Sequence, residues 1–179
     1  MTRPVDIKGM IRTIADFPKP GIRFRDITTL LKEPCGFHEV IERLAAAHVH
    51  ESIDKIAAIE SRGFIIGAAL AYRLNAGFVP IRKKGKLPAE NIGEDYELEY
   101  GRDRLEMHRD AIEAGQRLLL VDDLIATGGT AAAAVRLLHA AGASVLGCAF
   151  VVELPDLGGR RNLEALGCRV HVLCEFEGD

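Results

Sequence analysis

The chain has 179 residues, of which 48% are hydrophobic and 27% charged, with a formal net charge of −3. That make-up is expected of one soluble domain with a sizeable core, and it excludes a globally basic nucleic-acid binder. No residue run reaches membrane-spanning length and the start MTRPVDIKGM has no apolar signal-peptide core, so a cytoplasmic protein with no membrane partner and no nucleic-acid partner is expected.

Four scattered cysteines, Cys35, Cys148, Cys168 and Cys174, form no Cys-x-x-Cys pair and no zinc spacing, and read as reduced thiols. From the amino terminus, Ile7, Met10, Ile11 and Ile14 fall at i, i+3, i+4 and i+7 and predict an amphipathic helix that Pro18, Pro20 and Gly21 stop. Residues 22–27 then alternate apolar and charged side chains, as an edge strand anchored by Phe24 does. Phe37, Val40, Ile41, Leu44, Ala45 and His48 recur at helical spacing and predict a second helix.

Residues 55–59 predict a short buried strand, Glu60-Ser61-Arg62-Gly63 the loop at its carboxyl end, and 64–74 a buried helix closing around Asn75-Ala76-Gly77. In open α/β sheets such a loop faces the ligand crevice, so Arg62 is placed there, either forked onto an anion or paired with Glu60. Residues 78–82 form another strand and run into the basic loop Arg82-Lys83-Lys84-Gly85-Lys86-Leu87-Pro88, which lacks interleaved aromatics for base stacking. Residues 96–100 alternate, Gly101 interrupts, and Leu105 and Met107 resume the alternation, predicting a β-hairpin. Two strands alone are marginally stable in water, so this hairpin is expected to be mobile until something binds beneath it.

Most of the chemistry lies in 116–141, QRLLLVDDLIATGGTAAAAVRLLHAA. Residues 117–121 predict a buried strand and 130–141 a helix closed by Gly142. The helix start offers unpaired N–H groups to an anion; Gly128 and Gly129 clear side chains away, and Thr127 and Thr130 add hydroxyl donors. The loop 126–130 is thus suited to a monoester phosphate. Asp122 and Asp123 need a different partner, either a sugar diol or a hydrated Mg²⁺ held together with substrate oxygens. Neither the NTPase phosphate loop nor the dinucleotide glycine fingerprint is present.

Downstream, 144–152 is nearly continuous apolar and predicts a strand buried on both faces, which Glu153-Leu154-Pro155 ends at the ligand edge. Arg160 and Arg161 fall on a surface helix and 169–176 on the last strand. Strands alternating with helices, their loops at one end, make an α/β fold with a twisted, mainly parallel sheet.

VDDLIATGGT resembles the signature of type I phosphoribosyltransferases, and PGIRFRDIT, ESRGF, RKKGKLP and LEYG resemble further segments of the adenine-using members of that family. The resemblance covers nearly the whole chain. It implies the type I phosphoribosyltransferase fold in a single domain over 1–179, with a central twisted, mainly parallel sheet flanked by helices. A small amino-terminal hood would span about 1–34 and a flexible β-hairpin flap about 83–108. It also implies purine salvage: adenine and phosphoribosyl diphosphate give AMP and pyrophosphate, in a homodimer, with Mg²⁺ held mainly by substrate and no dedicated metal ligand.

By the same resemblance, Asp122, Asp123, Ala126, Thr127, Gly128, Gly129 and Thr130 bind the phosphoribosyl group. Arg62, Gly63, Arg82, Lys83, Lys86 and Tyr100 bind pyrophosphate, and the ESRGF loop in related enzymes often carries a strained non-proline peptide. Phe24 stacks on the base, Arg23 and Arg25 add main-chain contacts, and Leu154 lines the base pocket. Glu99, Arg62 and Lys86 are the implied catalytic residues. Enzymes for 6-oxopurines carry an aspartate where this chain has Ala126, which leaves the purine proton to Glu99. The alternatives are an enzyme for another base, xanthine or orotate, and a non-catalytic sensor of phosphoribosyl diphosphate. The sensor would need a nucleic-acid-reading element, for which the sequence shows no added helix-turn-helix and no basic excess.

Overall fold

The computed structural model describes residues 5–98 and 101–178. Its centre is a pair of parallel strands, β3 (Lys55–Ile59) and β7 (Arg117–Ile125), each followed by a helix, α3 (Arg62–Leu74) and α4 (Gly129–Ala140). Beside β7 lie β8 (Ser144–Glu153) and then β9 (Arg169–Glu175), both parallel; beside β3 lies β4 (Gly77–Lys83), also parallel. The antiparallel hairpin β5 (Asn91–Leu98) and β6 (Gly101–His108) completes a seven-stranded sheet in the order β5-β6-β4-β3-β7-β8-β9.

Strand alternation decides what each face buries. Ala57 and Ile59 of β3 and Leu118 and Leu120 of β7 point to one face, where α4 and α5 (Gly159–Glu164) cover them. Ile56, Ala58, Leu119 and Val121 point to the other, under α3 and α2 (Pro34–His48). Each fully buried Leu or Ile contributes about 1.5–3 kcal/mol, so these two layers fix where the strand ends stand. A close contact adds to this: a Cβ on Gly67 would sit 2.5 Å from the Ala58 Cβ, and only a glycine lets α3 lie this low on β3.

The start of the chain departs from the helix predicted over residues 7–14. Lys8–Met10 is one turn of 3-10 helix, and Arg12–Ala15 is a strand, β1, paired antiparallel with β2 (Arg23–Asp26), with Ile14 opposite Phe24. Eight residues are fewer than the about 12–15 that an isolated helix needs. Ile7 and Ile11 are buried as the pattern requires, but they reach the core from a turn and an extended chain. A four-residue helix, α1 (Thr28–Leu31), follows β2 without having been predicted. Asp26 tethers this small sheet by its ion pair with Arg12, and the Thr28 hydrogen bond together with Arg12 lowers its pKa to about 2.

The hairpin begins at Asn91, five residues before the predicted strand at Tyr96. Its base is built into the sheet. β6 pairs with β4 through Arg82↔Glu106 and Lys83↔Leu105, and Leu105, Met107 and Tyr96 are buried against α4.

Candidate active site

Because β3 and β7 are parallel neighbours, the loops at their carboxyl ends meet at one edge of the sheet. A cavity of about 530 Å³ opens there, lined by residues 59–62 and 122–131 and by Lys83, Tyr96, Asp103 and Leu105. The β7 loop presents backbone. Gly128, at φ 79°, stands at the start of α4 in a conformation that side-chain-bearing residues avoid, and a Cβ there would lie 2.9 Å from the Gly159 backbone. Thr127, Gly128, Gly129 and Thr130 all face the cavity at the positive end of the α4 dipole.

The β3 loop presents charge, and its charges are already engaged. Arg62 donates to the Asp123 carboxylate, and its guanidinium carbon lies 5.2 Å from the centre of the Phe24 ring. One arginine thus bridges the hood to the acid pair. Asp122 accepts the Asp123 backbone N–H at 2.9 Å. Burial, and then the Asp123 charge beside it, push the Asp122 carboxyl well above the usual carboxylate range. Gly63 turns its bare side towards this acid, since a Cβ there would come within 2.7 Å of Asp122 Oδ1.

Glu60 does not pair with Arg62. It takes Arg82 Nε at 2.8 Å and the Lys83 backbone N–H at 3.1 Å, and the Glu60–Ser61 peptide is cis. Arg82 also donates to the Lys86 carbonyl at 3.2 Å. Lys83 reaches the cavity, where its ammonium lies 3.4 Å from Asp103.

Of the residues expected at the site, the cavity therefore gathers Arg62, Lys83, Asp122, Asp123, Ala126, Thr127, Gly128, Gly129 and Thr130. Others stand outside its lining. Arg23 is exposed on β2, while Arg25 is buried, donating to Thr13 Oγ1 at 2.6 Å and lying 4.4 Å from the Phe176 ring centre. Arg82 is held by Glu60, Lys86 is exposed, and Leu154 is buried with its N–H donating to Ile125 O at 3.0 Å. Glu99 and Tyr100 lie outside the described residues.

Tyr96 and Asp103 were missed by sequence reasoning. They are direct cross-strand partners, with the Tyr96 hydroxyl 3.3 Å from Asp103 Oδ2, and burial raises the Tyr96 pKa. The signal was available. Leu98 pairs with Gly101, and the antiparallel register then sets 96 opposite 103, two residues further along each strand.

Residues 28–169 match the phosphoribosyl transferase domain. The chain belongs to the phosphoribosyltransferase family, and its mainly parallel sheet flanked by helices is that family's type I fold. It is 61% identical over 175 residues to the adenine phosphoribosyltransferase of Nitrosospira multiformis, covering 98% of this chain and 100% of the relative. Among solved structures, the adenine phosphoribosyltransferase from Rhodothermus marinus superposes with a TM-score of 0.90 at 52% identity, over 95% of this chain and 96% of that one. The Saccharomyces cerevisiae enzyme, solved with adenine and an imino-altritol bisphosphate, gives 0.88 at 41% identity, over 94% and 96% of the two chains.

Proposed function

We propose that this protein works in purine salvage, transferring the 5-phosphoribosyl group from phosphoribosyl diphosphate to adenine to give AMP and pyrophosphate. One observation carries this reading: a glycine-containing backbone loop, the adjacent carboxylates Asp122 and Asp123 and the cations Arg62 and Lys83 share one cavity, in a chain 61% identical to an adenine phosphoribosyltransferase.

The 5-phosphate sits in the cradle of Ala126, Thr127, Gly128, Gly129 and Thr130. Asp122 and Asp123 accept hydrogen bonds from the ribose hydroxyls, and Asp123 releases Arg62 to do so. Arg62 then turns with Lys83 onto the diphosphate, leaving the face of Phe24 to the adenine ring. Gly63, Arg82, Lys86 and Tyr100 complete the pyrophosphate site, Arg82 by exchanging Glu60 for the anion. Leu154 and the backbone of Arg23 and Arg25 border the base.

The bond between ribose C1 and the diphosphate oxygen breaks, its electron pair leaving with pyrophosphate. Adenine N9 bonds to C1 and gives its proton to Glu99, which a flap over about 83–108 brings over the reacting centre. The hood, about 1–34, covers the base. Each cation held against the departing charge accounts for about 10²–10³-fold in rate.

The donor set fits a Mg²⁺ carried by substrate. Asp122 and Asp123 line the cavity together as hard oxygen donors of the kind Mg²⁺ takes, and Asp123 already has Arg62. A Mg²⁺ held mainly by substrate oxygens, with Asp122 and Asp123 beside it, would supply positive charge to the leaving group.

The proposal includes a homodimer, formed on the outward side of α3 and β4, where Ile65, Tyr72 and Phe78 are exposed. Among the described residues no helix is long and apolar enough to cross a membrane. The proposed compartment is the cytoplasm, because a multiply charged diphosphate substrate does not pass a bilayer unaided.

The test is pyrophosphate release from phosphoribosyl diphosphate and Mg²⁺, with adenine, hypoxanthine, guanine, xanthine and orotate offered separately. Release with adenine alone is expected. Release only with another base overturns the base assignment, and binding without release from any base overturns the enzyme.

A further inference from the structure

Behind the phosphate cradle, two consecutive carbonyls are held from outside the cavity. Ala126 O accepts the Gly159 N–H at 3.0 Å, and Thr127 O accepts the Asn162 side-chain amide at 2.7 Å. Both partners belong to α5. A trans peptide points its C=O and its N–H in opposite directions. Pinning these two carbonyls to α5 therefore turns the Thr127 and Gly128 N–H groups the other way, towards the cavity that both residues line. Among the described residues neither N–H has a backbone acceptor.

The approach is too close for side chains. A Cβ on Gly159 would stand 2.3 Å from Ala126 O, and one on Gly128 would stand 2.9 Å from the Gly159 Cα. Asn162 itself is exposed, so its substitution leaves the core untouched.

We infer that Gly159 and Asn162 are positioning residues of the phosphate cradle, which hold the Thr127 and Gly128 N–H groups aimed at the substrate's 5-phosphate before it arrives. The inference rests on the proposed reading that this loop takes the phosphate of phosphoribosyl diphosphate. Its physical content is preorganisation: a loop already oriented does not spend binding free energy on ordering its peptides. The role also sets Asn162 apart from the neighbouring Arg160, which donates to the Glu153 carboxylate and the Val170 carbonyl.

Ribose 5-phosphate is the probe, titrated calorimetrically into the wild-type protein, Asn162→Ala and Asn162→Asp. Asn162→Ala is expected to weaken binding about fivefold, the scale of one neutral hydrogen bond. Asn162→Asp weakens it further, because a carboxylate then faces the Thr127 carbonyl with no donor between them. In steady state the KM for phosphoribosyl diphosphate rises by the same factor, while kcat and the KM for adenine stay within about twofold. The Thr127 and Gly128 amide signals are expected to move downfield in the wild type on adding ribose 5-phosphate, and to move less in Asn162→Asp. Ribose 5-phosphate affinities within twofold of wild type in both variants overturn the positioning role and leave the proposed activity standing. A wild-type protein that binds no ribose 5-phosphate overturns the phosphate reading and the positioning role with it.

Discussion

The two strand-loop-helix units at the centre of the sheet occupy equivalent positions and present opposite chemistry to the cavity they share. The β7 loop carries no charged side chain between Asp123 and the first turn of α4; it offers backbone N–H groups in a glycine-dependent geometry. The β3 loop carries Glu60 and Arg62, and with the neighbouring basic residues it forms the pairs Arg62–Asp123 and Arg82–Glu60. In the proposed function the backbone loop takes its anion without exchanging a partner. A charged loop must exchange an internal partner for an external one, so its affinity is the difference between two ion pairs rather than the worth of one.

That contrast breaks most visibly at Arg62. Arg62→Ala is expected to lower kcat/KM for phosphoribosyl diphosphate by about 10²–10³-fold, measured by initial rates, because it removes the cation from the leaving group and leaves Asp123 unpaired.

On the backbone side, Gly128→Ala forces a Cβ into the left-handed conformation and against Gly159. A loss of stability of about 1–3 kcal/mol follows from the strain. An increase of about 30-fold in the KM for phosphoribosyl diphosphate follows from misdirected N–H groups. Thermal unfolding and initial rates check the two effects separately.

Glu60→Gln sharpens the exchange argument by moving the other way. It weakens the hold on Arg82 and the Lys83 backbone, so pyrophosphate should inhibit about fivefold more strongly, the scale of one surface-accessible pair. Unchanged inhibition would mean that Arg82 never exchanges partners.

Asp122 is predicted to trade stability for function. With its pKa raised in the folded state, this group favours folding most below the usual carboxylate pKa, and that contribution is lost as pH rises towards the folded value. Asp122→Asn is therefore expected to melt about 2–4 °C higher at pH 7, the shift for about 1 kcal/mol in a chain of this size, while binding ribose 5-phosphate more weakly. Asp26 has the opposite sign. The stability it contributes through Arg12 and Thr28 is present above pH 4 and lost as the pH falls towards about 2, a decline that acid titration of Asp26→Asn should lack.

Much of this was legible before any coordinates. The strand at 55–59, the helices expected over 64–74 and 130–141 and found at Arg62–Leu74 and Gly129–Ala140, and the loop between Asp123 and Thr130 all follow from local periodicity and glycine placement. Local rules suffice there because a continuous apolar run or a Gly-Gly at a helix start means much the same in any α/β sheet. The first fifteen residues misled for the same reason. Ile7, Met10, Ile11 and Ile14 satisfy helical spacing, yet Ile14 belongs to a strand whose partner, Phe24, lies ten residues further on, and pairing at that distance leaves no periodic trace.

The amino-acid sequence by itself determined the fold class, the glycine-containing loop before α4 and which residue types stand at the carboxyl ends of β3 and β7, since each depends on neighbours within a few residues. Only the tertiary structure decided who holds whom: Arg62 with Asp123 and Phe24, Arg82 with Glu60, Tyr96 with Asp103, and Asn162 behind the Thr127 carbonyl. Most of those pairs join elements far apart along the chain. Their choice is made by the order of strands in the sheet, which sets β3 between β4 and β7, so that its Glu60 takes a cation from β4 while its Arg62 goes to an acid of β7.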